Sequence, residues 1–185
     1  MPYEKARELA DVSYQKWVSE ELFSFGWFVM LSVLLIAYIV WLIILDKNKV
    51  IYLLLIGSLS AVGFLISDII LYGFYGFVEY PIALTPFKPS LFVVNVTLAP
   101  IVIMIAEQYG RSWKGYIVRA AVGMGLLAFA LLPVYSLLGI VKYHNGWNYI
   151  HHFLSLFGGA MLVRIVFLWL HGMQKRHPMP KTQTE

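Results

Sequence analysis

Residues 68–90 read DIILYGFYGFVEYPIALTPFKPS. The stretch opens on a carboxylate, Asp68, set inside an apolar run. It leaves that run through Gly73 and Gly76 and closes on Pro81, Pro86 and Pro89. Glycine and proline at this density mark a connection, not a span. On either side the chain returns to long apolar runs. Residues 73–90 are therefore read as the one long loop between membrane helices.

Two apolar runs, 22–44 and 50–72, lead into the loop, and three, 91–108, 116–141 and 150–171, follow it. A spanning helix needs roughly 20 apolar residues, within a range of about 17–25. Lipid offers the backbone no hydrogen-bond partner, so each run must be helical. The expected fold is all-α, an integral membrane bundle of five transmembrane helices. It divides the chain into an N-terminal segment, 1–21, a transmembrane domain, 22–171, and a tail, 172–185. In the first of these, Tyr3, Ala6, Ala10, Tyr14 and Trp17 share one helical face. That pattern predicts an amphipathic helix at the membrane surface; a solvated, frayed tail is the other reading.

Composition points the same way. The 185 residues are 60% hydrophobic and 13% charged, with mean hydropathy +0.73. Soluble domains hold about 25% charged and about 45–50% apolar residues. Cysteine is absent, which excludes disulfides, thiolate catalysis and cysteine metal sites. The net charge is +4. Its basic residues lie mainly between the apolar runs and in the tail, where they set orientation and do not form a nucleic-acid surface. Lys47, Lys49, Arg111, Lys114, Arg119, Lys175, Arg176 and Lys181 fall on one side, against Lys88, Lys142 and an acidic N-terminal segment on the other. The expectation is a multi-pass protein of the cytoplasmic membrane, with the N-terminus and the 73–90 loop outside and the C-terminus in the cytoplasm. No cleavable signal peptide is expected, because residues 1–21 are polar and the first apolar run is too long for an h-region.

Depth sorts the polar residues into two layers. At a rise of about 1.5 Å per residue, Asp68 lies about 27 Å along its run, near the outer end. Glu79, Tyr80, Asn95, Trp147, His151 and His152 fall at a similar level and form a candidate polar pocket with it. On a helical wheel Asp68 shares a face with Gly57, Ser60, Ala61, Phe64 and Ser67, opposite Leu55, Leu59, Val62, Ile66 and Ile70. Small and polar residues mark helix contacts, so Asp68 is expected to face the bundle. Ionisable groups in membranes are functional candidates; the plainer reading is a carboxylate that ties down the loop. His151 and His152 point about 100° apart on a helix and make no i, i+4 metal pair. No metal or cofactor is expected. Glu107, Arg119 and Arg164 form the second layer, expected to be structural ion pairs. No phosphate loop, nucleophile elbow, zinc-protease motif or dinucleotide fingerprint is present.

Some short motifs recur in a telling order. Leu45-Asp46-Lys47 follows the first apolar run, and Asp68 lies in the second. Tyr80-Pro81, Leu84 and Pro86 fall in the loop. Gln108-Tyr109 and Trp113-Lys114 form the next turn, Pro133 comes late in the fourth run, and Trp147 precedes the last. In this order they resemble an uncharacterised family of small multi-pass membrane proteins from endospore-forming Firmicutes. The likeness covers roughly residues 40–170. It implies an architecture of about five helices, and no activity. The family carries an acidic residue just before the Pro133 position, where this chain has Leu132, and a Tyr-Ser-Phe-like stretch where it has His151-His152.

The function expected from these readings is binding, sensing or complex assembly in the membrane. Its partners are the lipid bilayer and either other membrane subunits or a second copy of the chain, with no nucleic acid. Two other classes stay open. One is an intramembrane enzyme on a lipid or isoprenoid substrate with Asp68 as acid; the other is a small transporter or transporter subunit with Asp68 as a coupling carboxylate.

Overall fold

The computed structural model describes residues 2–86, 94–110 and 112–176, with the backbone alone at Pro2, Tyr3, Ala6 and 174–176. Lys88, Pro89, Arg111, Lys181 and the start of the third apolar run lie outside the described residues. The described residues are all-α apart from two short strands and the connecting turns. Helix α1 (Pro2–Lys16) continues into a π-helical turn, Trp17–Glu21. Helix α2 (Phe25–Ile44) follows, then α3 (Val50–Asp68), extended by a π-helical turn, Ile69–Phe74. Strand β1 (Val78–Glu79) lies in the long loop before α4 (Val94–Tyr109). Helix α5 (Trp113–Leu126) runs through a third π-helical turn, Leu127–Leu131, into α6 (Leu132–Leu137). Strand β2 (Lys142–Tyr143) and α7 (Tyr149–Arg176) complete the chain.

Among the described residues, four helical stretches are long and apolar enough to cross a membrane: Phe25–Ile44, Lys47–Phe74, Trp113–Leu137 and Tyr149–Met173. The third apolar run supplies α4, whose described part is 16 residues, Val94–Tyr109. Ten of its residues, from Val94 to Ala106, are buried, so α4 is the centre of the bundle, not a lipid-facing wall. Peripheral α2 buries only Gly26, Met30 and Trp41.

Close packing around α4 and α7 depends on missing side chains. A Cβ on Gly57 would lie 2.6 Å from the Met104 sulfur, and one on Gly159 would lie 2.7 Å from the Phe64 ring. Small residues let helix backbones approach where burial of apolar surface offers no net drive between helices. The same face of α3 buries Ser60, Phe64 and Asp68, while Leu55, Val62, Ile66 and Ile70 stay exposed. Pro133 does not end its helix. It has no N–H for the preceding turn and crowds that turn's carbonyl; the π-helical turn at Leu127–Leu131 widens the ladder just before it.

The long loop folds back on the bundle. β1 pairs antiparallel with β2, Val78 opposite Tyr143 and Glu79 opposite Lys142. The His144 N–H donates to the Phe77 carbonyl at 2.9 Å. From Tyr80 the chain turns inward and buries Tyr80, Ala83 and Leu84. The N-terminal segment holds it there. Glu21, 4% exposed, accepts from the Ala83 N–H at 2.9 Å. Trp17 donates its indole N–H to the Ala83 carbonyl at 2.9 Å, and Trp27 donates to Leu84 at 3.3 Å. Most of α1 is exposed, and the part of the segment that packs is this aromatic and acidic clamp. At the opposite end of the bundle Gln108 donates to the Ile44 carbonyl at 2.7 Å and accepts from the Asp46 N–H at 3.0 Å. It thereby closes the C-terminus of α2, whose last carbonyls have no helical partner.

Candidate functional site

At the loop end of the bundle, α3, α4 and α7 each bring one polar side chain to a common point. Asp68 stands at the end of α3, with Tyr72 one turn further on. Asn95 is in the first turn of α4. His152 is in the first turn of α7, a helix capped by Asn148, whose side chain accepts from the N–H groups of Ile150 and His151 at 3.0 and 3.2 Å. Beyond the cap, the face of α7 that packs into the bundle carries His152, and His151 faces outward. Asp68 is 4%, Asn95 1% and His152 0% exposed.

The bonds form a directed chain. Asn95 Nδ2 donates to Asp68 Oδ1 at 2.8 Å and to the Tyr72 hydroxyl at 3.1 Å, which uses both of its N–H bonds. Its Oδ1 then accepts from His152 Nε2 at 2.8 Å. With the proton of neutral His152 on Nε2, Nδ1 is an acceptor, and the Tyr143 hydroxyl lies 3.2 Å from it. Burial holds the Tyr143 phenol above its ordinary pKa, so it keeps the proton it donates. The Tyr72 ring stacks on His152 with centroids 5.8 Å apart and meets the Trp147 ring edge-on at 6.3 Å.

Three buried polar atoms near this chain have no partner: Asp68 Oδ2, the Tyr80 hydroxyl and Trp147 Nε1. Burial pushes the Tyr80 phenol well above its usual range, and the nearby Asp68 and Tyr72 add to the effect. Tyr80 therefore stays a donor in search of an acceptor. A buried polar group without a hydrogen bond costs about 1–3 kcal/mol.

Two residues expected in the pocket are not in it. Glu79 is exposed and pairs with His144, Oε2 to Nε2 at 3.1 Å. It lies on β1, where alternation turns its neighbours Val78 and Tyr80 inward and Glu79 out. His151 is exposed and rests against the Trp147 ring, on the outward face of α7. Trp147 itself is half-buried and stacks on Phe77 at 4.8 Å. Tyr72 and Tyr143 were not anticipated. Tyr72 could have been found from its i+4 spacing to Asp68, whereas Tyr143 arrives only through strand pairing.

In the second layer Arg164 Nε lies 3.0 Å from Glu107 Oε2, with the two side chains 6% and 7% exposed. The contact is an ion pair by distance, the N–H not aimed along it. Tyr52 donates to Glu107 Oε1 at 2.8 Å. The guanidinium also reaches the carbonyls of Gly110 and Ser112 and lies 4.1 Å from the centre of the Tyr116 ring. Arg119 does not join this pair. It is exposed, and its guanidinium donates to the Gly115 carbonyl of its own helix at 2.9 Å.

Among the described residues no three His, Asp or Glu side chains lie together in a way that could hold a metal ion. No family model, curated protein or solved structure matches the chain.

Proposed function

We propose that this multi-pass membrane protein binds a small polar ligand at the Asp68 end of its bundle, beneath the 75–86 loop, as a binding or sensing component. The observation that carries the reading is three buried, unpartnered atoms, Asp68 Oδ2, Tyr80 Oη and Trp147 Nε1, on residues that each neighbour Tyr72. A fitting ligand offers acceptors to Tyr80 and Trp147 and a donor to the carboxylate.

Two features weigh against the rival readings. Acid–base catalysis needs a donor and an acceptor within reach of one substrate. Both ring nitrogens of His152 are engaged and Glu79 lies outside, so neither of the two groups best suited to act as a base beside Asp68 is free to do so. Proton-coupled transport through the chain meets Asn95, whose amide cannot hand a proton from oxygen to nitrogen without passing through an unstable imidic acid. Asn95 orients the chain and interrupts it as a wire.

Asp68→Asn tests the proposal, because asparagine keeps the shape and an oxygen for Asn95. Wild-type and variant protein are purified in mild detergent, and the small molecules retained by each are extracted and identified by mass spectrometry. Wild type is expected to retain a compound that Asp68→Asn holds at least about tenfold less, the loss of one charge-assisted hydrogen bond. A folded variant with the same retained molecules as wild type overturns the reading.

The proposed setting is the cytoplasmic membrane, with the N-terminus and the loop outside and the C-terminus in the cytoplasm. The asymmetry of lysine and arginine supports it. The chain has no native cysteine, so Lys142→Cys gives a single reporter on exposed β2. Labelling of intact cells by a membrane-impermeant maleimide is the expected result; labelling only after permeabilisation reverses the orientation. Membership of the spore-former family is likewise a proposal. It is supported by the way two of its motifs meet, Gln108 and Tyr109 both bonding the Ile44 carbonyl that leads into Leu45-Asp46-Lys47.

A further inference from the structure

We propose that the groove between the start of α3 and the end of α7 binds one anionic phospholipid, independently of the Asp68 site. The groove is open along one side and offers about 640 Å³ at the end of the bundle remote from the long loop. Its chemistry changes along its length. Lys47, Asn48 and His171 line one end, and Leu55 and Leu59 line the other. From Lys47 to Leu59 is twelve residues, about 18 Å of helix, comparable with one leaflet, which is half of a hydrocarbon core of about 30 Å. A polar mouth leading into an apolar trough of that depth matches a headgroup followed by an acyl chain.

Charge selects the kind of headgroup. Lys49 is paired with Asp46 at 3.4 Å. Lys47 is exposed and takes part in no ion pair among the described residues, so its charge is available at the mouth. A phosphate or other anionic headgroup satisfies it, as basic pockets between membrane helices commonly do. A zwitterionic headgroup brings its own cation to the same place and gains less. The wall is preformed. Tyr52 meets Phe167 edge-on at 4.8 Å and His171 at 5.8 Å, and Phe167 stacks parallel to His171 at 6.4 Å. The Tyr52 hydroxyl is spent on Glu107, leaving its ring to face the groove.

The test uses the full chain, delipidated in detergent and titrated with phosphatidylglycerol or phosphatidylcholine, with bound lipid counted by native mass spectrometry. A discrete one-to-one adduct with phosphatidylglycerol is expected, at least about tenfold tighter than with phosphatidylcholine. Lys47→Gln is expected to weaken it about fivefold, the worth of one basic residue near an anionic headgroup. Lys49→Gln should leave it nearly unchanged. Both lysines are exposed, so neither variant threatens the fold. Leu59→Trp, which fills the trough, should weaken both lipids. Free glycerol phosphate is expected not to compete. Equal binding of the two lipids, an unchanged adduct in Lys47→Gln, equal losses in the two lysine variants, or full competition by glycerol phosphate would each overturn the assignment. None of these outcomes bears on ligand retention at Asp68.

Discussion

Asn95→Leu is expected to be the most destabilising single change at the loop end of the bundle. Asn95 makes three hydrogen bonds to Asp68, Tyr72 and His152, all buried. Hydrogen bonds between membrane helices are worth about 0.6 kcal/mol on average and at most about 1.7. Three of them put the loss at roughly 2–5 kcal/mol, and leucine has no group to return to Asp68 or His152. Thermal unfolding in detergent should show a midpoint well below wild type. The triple variant Asp68→Leu, Asn95→Leu and His152→Leu should be more stable than Asn95→Leu alone, because it removes the two most polar groups that Asn95→Leu strands, leaving only the Tyr72 and Tyr143 hydroxyls to find other partners. A single variant as stable as wild type would mean that the chain of bonds does not hold these helices together.

Glu107→Leu is expected to have a comparable or larger effect at the other end. It strands the Arg164 guanidinium, 3.0 Å from the lost carboxylate, and removes the acceptor of Tyr52. Removing one partner of a buried ion pair costs about 3–5 kcal/mol, whereas replacing both by apolar residues is often neutral. The double variant Glu107→Leu and Arg164→Met should therefore recover much of the loss. Recovery should be incomplete, since Arg164 also serves the Gly110 and Ser112 carbonyls. Chemical or thermal unfolding of the four proteins in one detergent gives the coupling between the two residues. Additive losses would show that the pair does not act as a unit.

Much of this arrangement could be read from the sequence because depth along a helix is simple arithmetic. Counting residues put Asp68, Asn95 and His152 at one level, and Glu107 and Arg164 at another. The helical wheel turned Asp68 inward because Gly57 and Ser60 share its face. Depth without direction misleads, however. Glu79 and His151 are at the right level and point away, one through strand alternation and the other through the rotation of its helix. Arg119 also has the right depth, but its own helix supplies a carbonyl within reach. Contacts that form across long stretches of chain left no local signal. Glu21 meets Ala83 across 62 residues of sequence, and Tyr143 reaches His152 only because β2 pairs with β1. The central place of α4 was hidden for a related reason. Hydropathy reports that a helix avoids water, and the centre of a bundle avoids it as well as lipid does.

The central claim is that the polar atoms under the loop are reserved for a ligand. An experimental structure of the protein crystallised from a lipid mesophase, without prior delipidation, tests it most directly. The account predicts density for a molecule larger than water, bonded to Asp68 Oδ2 and to at least one of Tyr80 Oη and Trp147 Nε1. A single ordered water in that place, or direct bonds from these three atoms to neighbouring protein groups, would contradict it and make Asp68 a structural anchor of the loop.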